Sequence, residues 1–313
     1  MAMTPEQLKQ NLCGPVIAAI TPMHDDCSVD LDGLRANIER AVADGVVNGK
    51  GAFLVAGGGG ELPFLTVEER VAVVKAAVEA ARGRVPIIAG VQDEAVSKSV
   101  DVTKRLEDVG ADGIQLAPPC MYGEHPLADF ERFYEGVCSQ TSIGAVVYNT
   151  WWTATGMTPE LVLKLAEIDH VVGVKWSSPR NWEYLQGYRQ CARRIVMIDN
   201  WNHHVMAHLM GARGFISGVG DFWPAYDVAL WELLEARRYE EAQAHIERLS
   251  YAIYEFRGKI ARSTGGEASA KKAMAALVGR AAGPPRPPTR PLTAEEIAEL
   301  RGIMLAAGVP GVE

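Results

Sequence analysis

Several signatures of common protein classes are missing from the 313-residue sequence. No apolar run reaches the roughly 18 residues that a membrane-spanning helix needs, and the opening MAMTPEQLKQN lacks the apolar segment of a secretory signal. There is no basic run either, and the formal net charge is -8. Neither nucleic acid nor a membrane is therefore an expected partner, and we expect a cytoplasmic protein.

Signatures of bound metals and nucleotides are also missing. The five cysteines are scattered without a CxxC pair, which is typical of reduced thiols. The glycine run at residues 57–60 has neither GxGxxG spacing nor the GK[ST] ending of a phosphate-binding loop. His204 and His208 could share a metal, but no HExxH glutamate or third ligand accompanies them, so a polar helix face is preferred. The residues alone therefore do not favour a metal site or a bound nucleotide.

What the sequence does contain is a regular alternation of short apolar runs and longer amphipathic stretches. The runs are continuous rather than alternating in polarity, which is typical of parallel strands buried on both faces. They begin at Gly14, Gly51, Val85, Ala111, Ile143, Val171, Arg194 and Ala212. Eight strands, each followed by a helix, predict a (β/α)8 TIM barrel, whereas a doubly wound sheet usually has fewer strands.

The strand pattern ends near residue 222. We assign residues 1–222 to the barrel strands and most barrel helices, and residues 223–313 to the last barrel helix and a C-terminal helical extension of the same unit. Residues 225–260 have a helical pattern throughout, residues 281–293 form a proline-rich connector, and TAEEIAELRGIMLAAG is a closing helix.

Two strand ends carry candidate reactive groups, because barrel enzymes place their active sites at the carboxyl ends of the strands. Lys175 ends the run VVGVKW, where a partly desolvated amine could attack a carbonyl and form a Schiff base. A lysine at a strand tip can also simply reach water. Tyr148 ends the preceding strand and could exchange protons or only line a pocket. The strands alone leave these alternatives open.

The glycine run follows the second strand. Glycines allow a ligand to approach the backbone and can direct several N–H groups toward a carboxylate or phosphate. A flexible loop is the alternative interpretation.

In their order along the chain, these motifs resemble those of the dihydrodipicolinate synthase and N-acetylneuraminate lyase family of Schiff-base lyases. The similar segments are GPVIAAITPM, GGGGE, VVYN, GVKWSS and RPPTRPLT, and the resemblance extends from about residue 13 to the end. It implies a (β/α)8 barrel with a C-terminal helical extension, assembled as a homo-oligomer, either a tetramer or a dimer.

The resemblance also implies roles for single residues. Lys175 would form the imine with pyruvate or another 2-keto acid, and Tyr148 would move protons. The keto-acid carboxylate would bind the backbone N–H groups of Gly58 and Gly59. The pocket would also be lined by Ile216, Ser217 and Gly218. No cofactor would be needed, because the imine itself withdraws electrons.

The sequence departs from the family pattern at three places. Gly58 and Gly59 replace two hydroxyl residues, so the usual relay to the tyrosine cannot form, and we expect extra room there that water could fill. Cys120 stands where synthases have a tyrosine that reaches a neighbouring subunit, and Tyr122 is a possible substitute. The arginine that synthases carry after the strand-five tyrosine is missing, since Thr153 and Ala154 fall near its place.

Two tryptophans, Trp151 and Trp152, precede that place. Their flat apolar surface suits an apolar or aromatic partner, or equally a subunit contact. These departures argue against dihydrodipicolinate synthesis and favour a related aldolase or dehydratase acting on a 2-keto acid, with an aldehyde as the candidate second substrate. Three alternatives stay open: a non-catalytic barrel that binds a keto acid or regulates, an enzyme like 5-dehydro-4-deoxyglucarate dehydratase, and a sugar-phosphate barrel.

Overall fold

Eight strands close into a barrel in the order in which they occur along the chain. The structure is a computed structural model that describes residues 2–120, 126–152 and 156–312. The strands are β1 (Gly14–Ala18), β2 (Ala52–Val55), β3 (Ile87–Val91), β4 (Gly113–Leu116), β5 (Gly144–Tyr148), β6 (Val171–Trp176), β7 (Val196–Asp199) and β8 (Gly214–Ser217). The predicted (β/α)8 barrel is confirmed.

Helices alternate with the strands and continue beyond them. They are α1 (Pro5–Asn11), α2 (Leu31–Ala43), α3 (Val67–Ala81), α4 (Val96–Asp108), α5 (Leu127–Cys138), α6 (Pro159–Leu165), α7 (Asn181–Cys191), α8 (His204–Leu209), α9 (Pro224–Glu235), α10 (Tyr239–Thr264), α11 (Ala268–Leu277) and α12 (Ala294–Ala306). None of the helices in the described residues is long and apolar enough to cross a membrane.

Contacts divide the chain into two compact units. The first comprises residues 1–16, 47–54 and 83–216. In this unit α1 packs against the first residues of β4 and β5, because Gly113 and Gly144 leave space there for the side chain of Leu8. A side chain at either glycine would collide with Leu8, so these two glycines allow the N-terminal helix to lie against the strands.

The second unit comprises residues 17–46, 55–82 and 217–313. Its helices α9 to α12 share a buried apolar core that includes Phe256, Ile260, Met274, Leu300 and Met304. The segment that the sequence predicted as helical throughout is interrupted between α9 and α10, where Arg237 has a φ of 58°. The left-handed conformation at Arg237 ends one helix and allows the next to begin.

In the second unit, α3 begins with a capping box. The side chain of Thr66 accepts a hydrogen bond from the backbone N–H of Glu69, and the Glu69 side chain accepts one from the N–H of Thr66. This reciprocal pair satisfies two backbone donors that the helix itself leaves without partners.

Candidate active site

Lys175 and Tyr148 lie side by side at the carboxyl ends of β6 and β5. The two residues are paired in the parallel register, and the Lys175 Nζ lies 5.0 Å from the centroid of the Tyr148 ring. Both side chains are half-buried. The two side chains lie together because paired residues of neighbouring parallel strands point to the same face of the sheet.

One small cavity of the first unit has Lys175 in its lining. The cavity has a volume of about 10 Å³ and is lined by apolar side chains together with Lys175 and Gln115, and Ile216 is among the lining residues. Such a volume holds at most one water molecule. A keto acid therefore has no room in this cavity.

The loop after β5 is held to the loop after β6 by a pair of reciprocal hydrogen bonds. The Asn149 amide donates to the Ser177 carbonyl at 3.0 Å, and the Ser177 hydroxyl donates to the Asn149 carbonyl at 2.8 Å. The Asn149 side chain also accepts from the N–H of Met157 at 3.0 Å. Both loops are thereby fixed where they leave the strands that carry Tyr148 and Lys175.

Trp151 and Trp152 belong to a cluster of three tryptophans, which we call the tryptophan cluster. The third member is Trp201, in the loop after β7. Ring centroids are 5.6 Å apart for Trp151 and Trp152, 5.5 Å for Trp151 and Trp201, and 5.6 Å for Trp152 and Trp201. Edge-to-face and tilted contacts at these distances are the favoured geometries of aromatic pairs.

Asp199, the last residue of β7, is the centre of a buried network that sequence reasoning missed. Its carboxylate accepts hydrogen bonds from the Tyr184 hydroxyl at 2.7 Å and from the backbone N–H groups of Trp201 at 2.8 Å and His203 at 2.9 Å. It also contacts the Nδ1 of His204 at 2.7 Å. Burial by itself raises the pKa of Asp199, but these hydrogen bonds and the nearby His204 hold it below its usual value.

The position of His204 differs from the sequence-based interpretation. His204 was expected on a polar helix face, yet it is 4% exposed, and its ring centroid lies 4.4 Å from that of Phe215 in a tilted contact. Asp199, at the end of the run RIVMID, was the sequence signal that could have predicted this network. A carboxylate buried at a strand end needs hydrogen-bond donors around it.

The glycine run in the second unit forms a 3₁₀ turn rather than a flexible loop. Backbone N–H groups of Gly60 and Glu61 donate back to Gly57 and Gly58, respectively. The N–H groups of Gly58 and Gly59 stand at the start of the turn, where backbone donors have no partner within the turn itself. A Cβ added at Gly58 would meet nothing within 4 Å.

Gly59 is different, because its neighbourhood is filled by a lysine. A Cβ added there would lie 2.6 Å from the Nζ of Lys271 and 2.9 Å from the carbonyl oxygen of Ala18. The expectation of extra room for water beside Gly59 is therefore wrong. The Lys271 ammonium occupies the space that a side chain at position 59 would take.

Lys271 is 1% exposed, and its positive charge is paired with a carboxylate of the same unit. Its Nζ lies 2.8 Å from the Asp221 carboxylate and donates to the Ala18 carbonyl. Asp221 also accepts from the N–H of Ile20 at 2.9 Å. Burial lowers the pKa of Lys271, and Asp221 opposes that shift. The neighbouring Lys272 pairs with Glu61 at 2.5 Å.

Ser217 and Gly218 also lie in the second unit, at the end of β8. The Ser217 hydroxyl donates to the Asp227 carboxylate and accepts from the N–H of Gly220 at 2.7 Å. A Cβ added at Gly218 would lie 2.8 Å from a guanidinium nitrogen of Arg257. The Ser217 hydroxyl is therefore engaged within the unit, and a side chain at position 218 would require Arg257 to shift.

Some predicted features lie outside the described residues, namely Tyr122, Thr153 and Ala154. Cys120 is described, and its N–H donates to the Glu94 carboxylate at 3.0 Å. Burial and this carboxylate raise the pKa of the Cys120 thiol. Within the described part of the chain, no group of three His, Cys, Asp or Glu side chains is placed to hold a metal ion.

A closed eight-stranded barrel with a lysine and a tyrosine paired at neighbouring strand ends defines a class, the barrel lyases that act through a lysine amine. The particular family follows from comparison. Residues 11–307 match the dihydrodipicolinate synthetase family, so the chain belongs to that family and is a lyase of it.

Relatives within the family differ in their named activities. A 4-hydroxy-tetrahydrodipicolinate synthase of Nitrosococcus oceani is 30% identical over 213 residues, which are 67% of this chain and 71% of the relative. A Bradyrhizobium diazoefficiens protein, named "Probable 5-dehydro-4-deoxyglucarate dehydratase", is 30% identical over 310 residues, 96% of this chain and 95% of the relative.

Solved structures support the same fold. A candidate dihydrodipicolinate synthetase of Pseudomonas aeruginosa superposes with a TM-score of 0.85 at 26% identity, covering 94% of this chain and 99% of that one. The dihydrodipicolinate synthase of Acinetobacter baumannii, solved with pyruvate, gives 0.84 at 22% identity, covering 95% and 99%.

Proposed function

We propose that Lys175 forms a Schiff base with pyruvate or another 2-keto acid. The observation that carries this proposal is the pairing of Lys175 with Tyr148 at neighbouring strand ends, with Nζ 5.0 Å from the ring. The neutral amine would add to the keto carbon, and loss of water from the resulting carbinolamine would give the imine. The phenol of Tyr148 would donate the proton that the departing oxygen takes.

The imine then makes carbon chemistry possible. Its positive nitrogen withdraws electrons, so a proton leaves the adjacent carbon and an enamine forms. The enamine carbon attacks the carbonyl of an aldehyde, whose oxygen takes a proton as the new carbon–carbon bond forms. Hydrolysis of the product imine returns the Lys175 amine. Cleavage of a suitable hydroxy-keto acid follows the same steps in reverse.

We propose that the keto-acid carboxylate is bound by the backbone N–H groups of Gly58 and Gly59, which stand at the start of their turn. Ser217 and Gly218 would contribute backbone groups to the pocket, since the Ser217 hydroxyl is already engaged with Asp227. Ile216, the residue before Ser217 in β8, would line the pocket, as the family resemblance implies.

Dehydration of a sugar-derived keto acid is a second candidate. The Bradyrhizobium relative named for that reaction aligns with 96% of this chain. Here the enamine would expel a hydroxyl group from the next carbon as water, with a proton from the protein, instead of attacking an aldehyde. Measuring products with pyruvate plus an aldehyde, and with a 4-hydroxy-2-keto acid alone, separates the two reactions.

The imine itself is tested by trapping. The protein is incubated with pyruvate and borohydride, and its intact mass is measured. We expect one reduced pyruvate adduct in the wild type, none in Lys175→Ala, and an unchanged adduct in Lys164→Ala, an exposed lysine on α6. No adduct in the wild type, or one that persists in Lys175→Ala, would remove the proposal and leave a binding or regulatory barrel.

A homo-oligomeric state, a cytoplasmic location and independence from metals or cofactors stay predictions. The first is checked by sedimentation, and the last by activity after dialysis against a chelator.

A further inference from the structure

We propose that the tryptophan cluster binds the second substrate and that this substrate carries an aromatic ring with a carbonyl oxygen attached. The proposal rests on the proposed function, because it assigns the acceptor of the Lys175 enamine. It concerns residues of the first unit only.

The location of the cluster is the first argument. Trp151 and Trp152 follow β5, which pairs with β6, and Trp201 follows β7, which pairs with the other edge of β6. Lys175 is the penultimate residue of β6, which lies between them. In the register, Lys175 is opposite Tyr148 on one side and Ile198 on the other. An acceptor held by the cluster would therefore lie next to the strand end that carries the enamine.

The second argument is an unused hydrogen-bond donor. The Nε1 of Trp151 is buried and has no hydrogen-bond partner among the described residues. A buried indole N–H usually finds an acceptor. A carbonyl oxygen on the ligand would supply one, and it would polarise that carbonyl for attack.

The charge of the surrounding loops is the third argument. In the described stretches 149–152, 177–180 and 200–203, the only lysine or arginine is Arg180. Its guanidinium pairs with the Glu183 carboxylate at 2.6 Å. These stretches offer flat apolar surface, with Trp152 50% exposed, and no available cation for a second carboxylate. A neutral aromatic acceptor fits them better than an acidic one.

The cluster is also held in place by groups that are not part of it. Asp199 accepts the N–H of Trp201 at 2.8 Å, and the Asn200 amide donates to the Thr150 hydroxyl at 3.0 Å. The second bond links the loop of Trp201 to that of Trp151. A preformed aromatic surface loses little conformational freedom when a ligand binds, so it can contribute fully to affinity.

The test uses benzamide, which has a ring and a carbonyl oxygen but forms no imine, with acetamide as the probe that lacks the ring. Dissociation constants are measured by calorimetry on the full chain saturated with pyruvate. We expect benzamide to bind at least tenfold more tightly than acetamide. Trp201→Ala should weaken benzamide at least tenfold, and Trp151→Phe, which removes mainly the N–H, about threefold to tenfold. The control Trp182→Ala, on α7 and 71% exposed, should change nothing.

Two results overturn the proposal: equal binding of the two probes to the wild type, or full benzamide affinity in Trp201→Ala. If Trp152→Ala dissociates an oligomer while benzamide affinity is unchanged, the cluster is a subunit contact and the proposal also fails. Trp201→Phe, which keeps an aromatic ring, guards against misfolding. Borohydride trapping of pyruvate is run on every variant. An adduct without benzamide binding rejects this inference alone, whereas a missing wild-type adduct rejects the proposed function.

Discussion

Two lysines of this protein are withdrawn from water in different ways. Lys175 is half-buried at the end of β6, with the ring of Tyr148 5.0 Å from its Nζ. Lys271, on α11, is 1% exposed and lies 2.8 Å from the Asp221 carboxylate. A half-buried amine beside a phenol can meet a substrate, whereas a fully buried ion pair cannot lose its charge without leaving the partner unbalanced. These surroundings support the reactive role that we propose for Lys175, and they give Lys271 a structural ion pair.

The largest expected effect concerns the phenol beside Lys175. In Tyr148→Phe, turnover should fall by about 10²–10⁴-fold, the usual contribution of a positioned proton donor. The ring remains, so folding should be unchanged. Rates of product formation are compared with the yield of the borohydride-trapped pyruvate adduct after long incubation.

We expect that adduct still to form in Tyr148→Phe, more slowly. A variant with wild-type turnover would mean that the phenol only lines the pocket. The Tyr148 phenol would then no longer distinguish the surroundings of Lys175 from those of Lys271 in chemical terms.

The second effect concerns the buried pair. Lys271→Met removes the cation and leaves the Asp221 carboxylate buried without it, which should cost about 3–5 kcal/mol in the free energy of unfolding. Denaturant unfolding followed by circular dichroism measures the loss. Pyruvate should still be trapped on Lys175 in whatever fraction remains folded.

Lys271→Met/Asp221→Asn is the control for the buried pair, because it removes both charges. We expect the double variant to be more stable than Lys271→Met alone. Equal stabilities would show that the single variant loses packing rather than charge balance.

These two lysines also differ in how far the sequence reveals them. Lys175 was predictable because it interrupts a continuous run of valine and glycine at a strand end, the place where barrel enzymes keep reactive groups. Lys271 was not, because its partner Asp221 is 50 residues earlier and adjacent lysines in a helix usually face water. The barrel itself follows from local patterns, whereas a pairing across such a separation depends on tertiary packing.

A third, smaller effect separates two adjacent glycines. Gly59→Ala places a Cβ 2.6 Å from the Lys271 Nζ, and such overpacking should cost about 1–3 kcal/mol of stability. Gly58→Ala is the matched control, since nothing lies within 4 Å of its Cβ. Thermal unfolding of both variants gives the comparison.

The cause of the Gly59 effect is isolated by repeating Gly59→Ala in the Lys271→Met background. The shorter, flexible and uncharged methionine side chain removes the ammonium next to position 59, so the cost should shrink by about 0.5–3 kcal/mol of coupling energy. If the cost is unchanged in that background, the Ala18 carbonyl and not Lys271 restricts position 59.

The smallest expected effect concerns the stability of the protein in acid, where an ion pair of the second unit should lose its contribution. In the second unit, hydrogen bonding to Arg286 lowers the pKa of Glu69 to about 2, and the two side chains are 2.7 Å apart. Because the folded pKa lies below the unfolded one, the pair contributes its full stability above about pH 4.5. That contribution declines as the pH falls from there and is lost as the pH falls through the folded pKa of about 2.

Glu69→Gln keeps the capping box with Thr66 but removes the charge, so it should cost about 1 kcal/mol at pH 6 and clearly less near pH 2. Unfolding free energies at both values check this, with Glu240→Gln, an exposed first-turn glutamate of α10, as the control. A loss that is the same at both pH values would mean that Glu69 acts through its capping hydrogen bonds and not through Arg286.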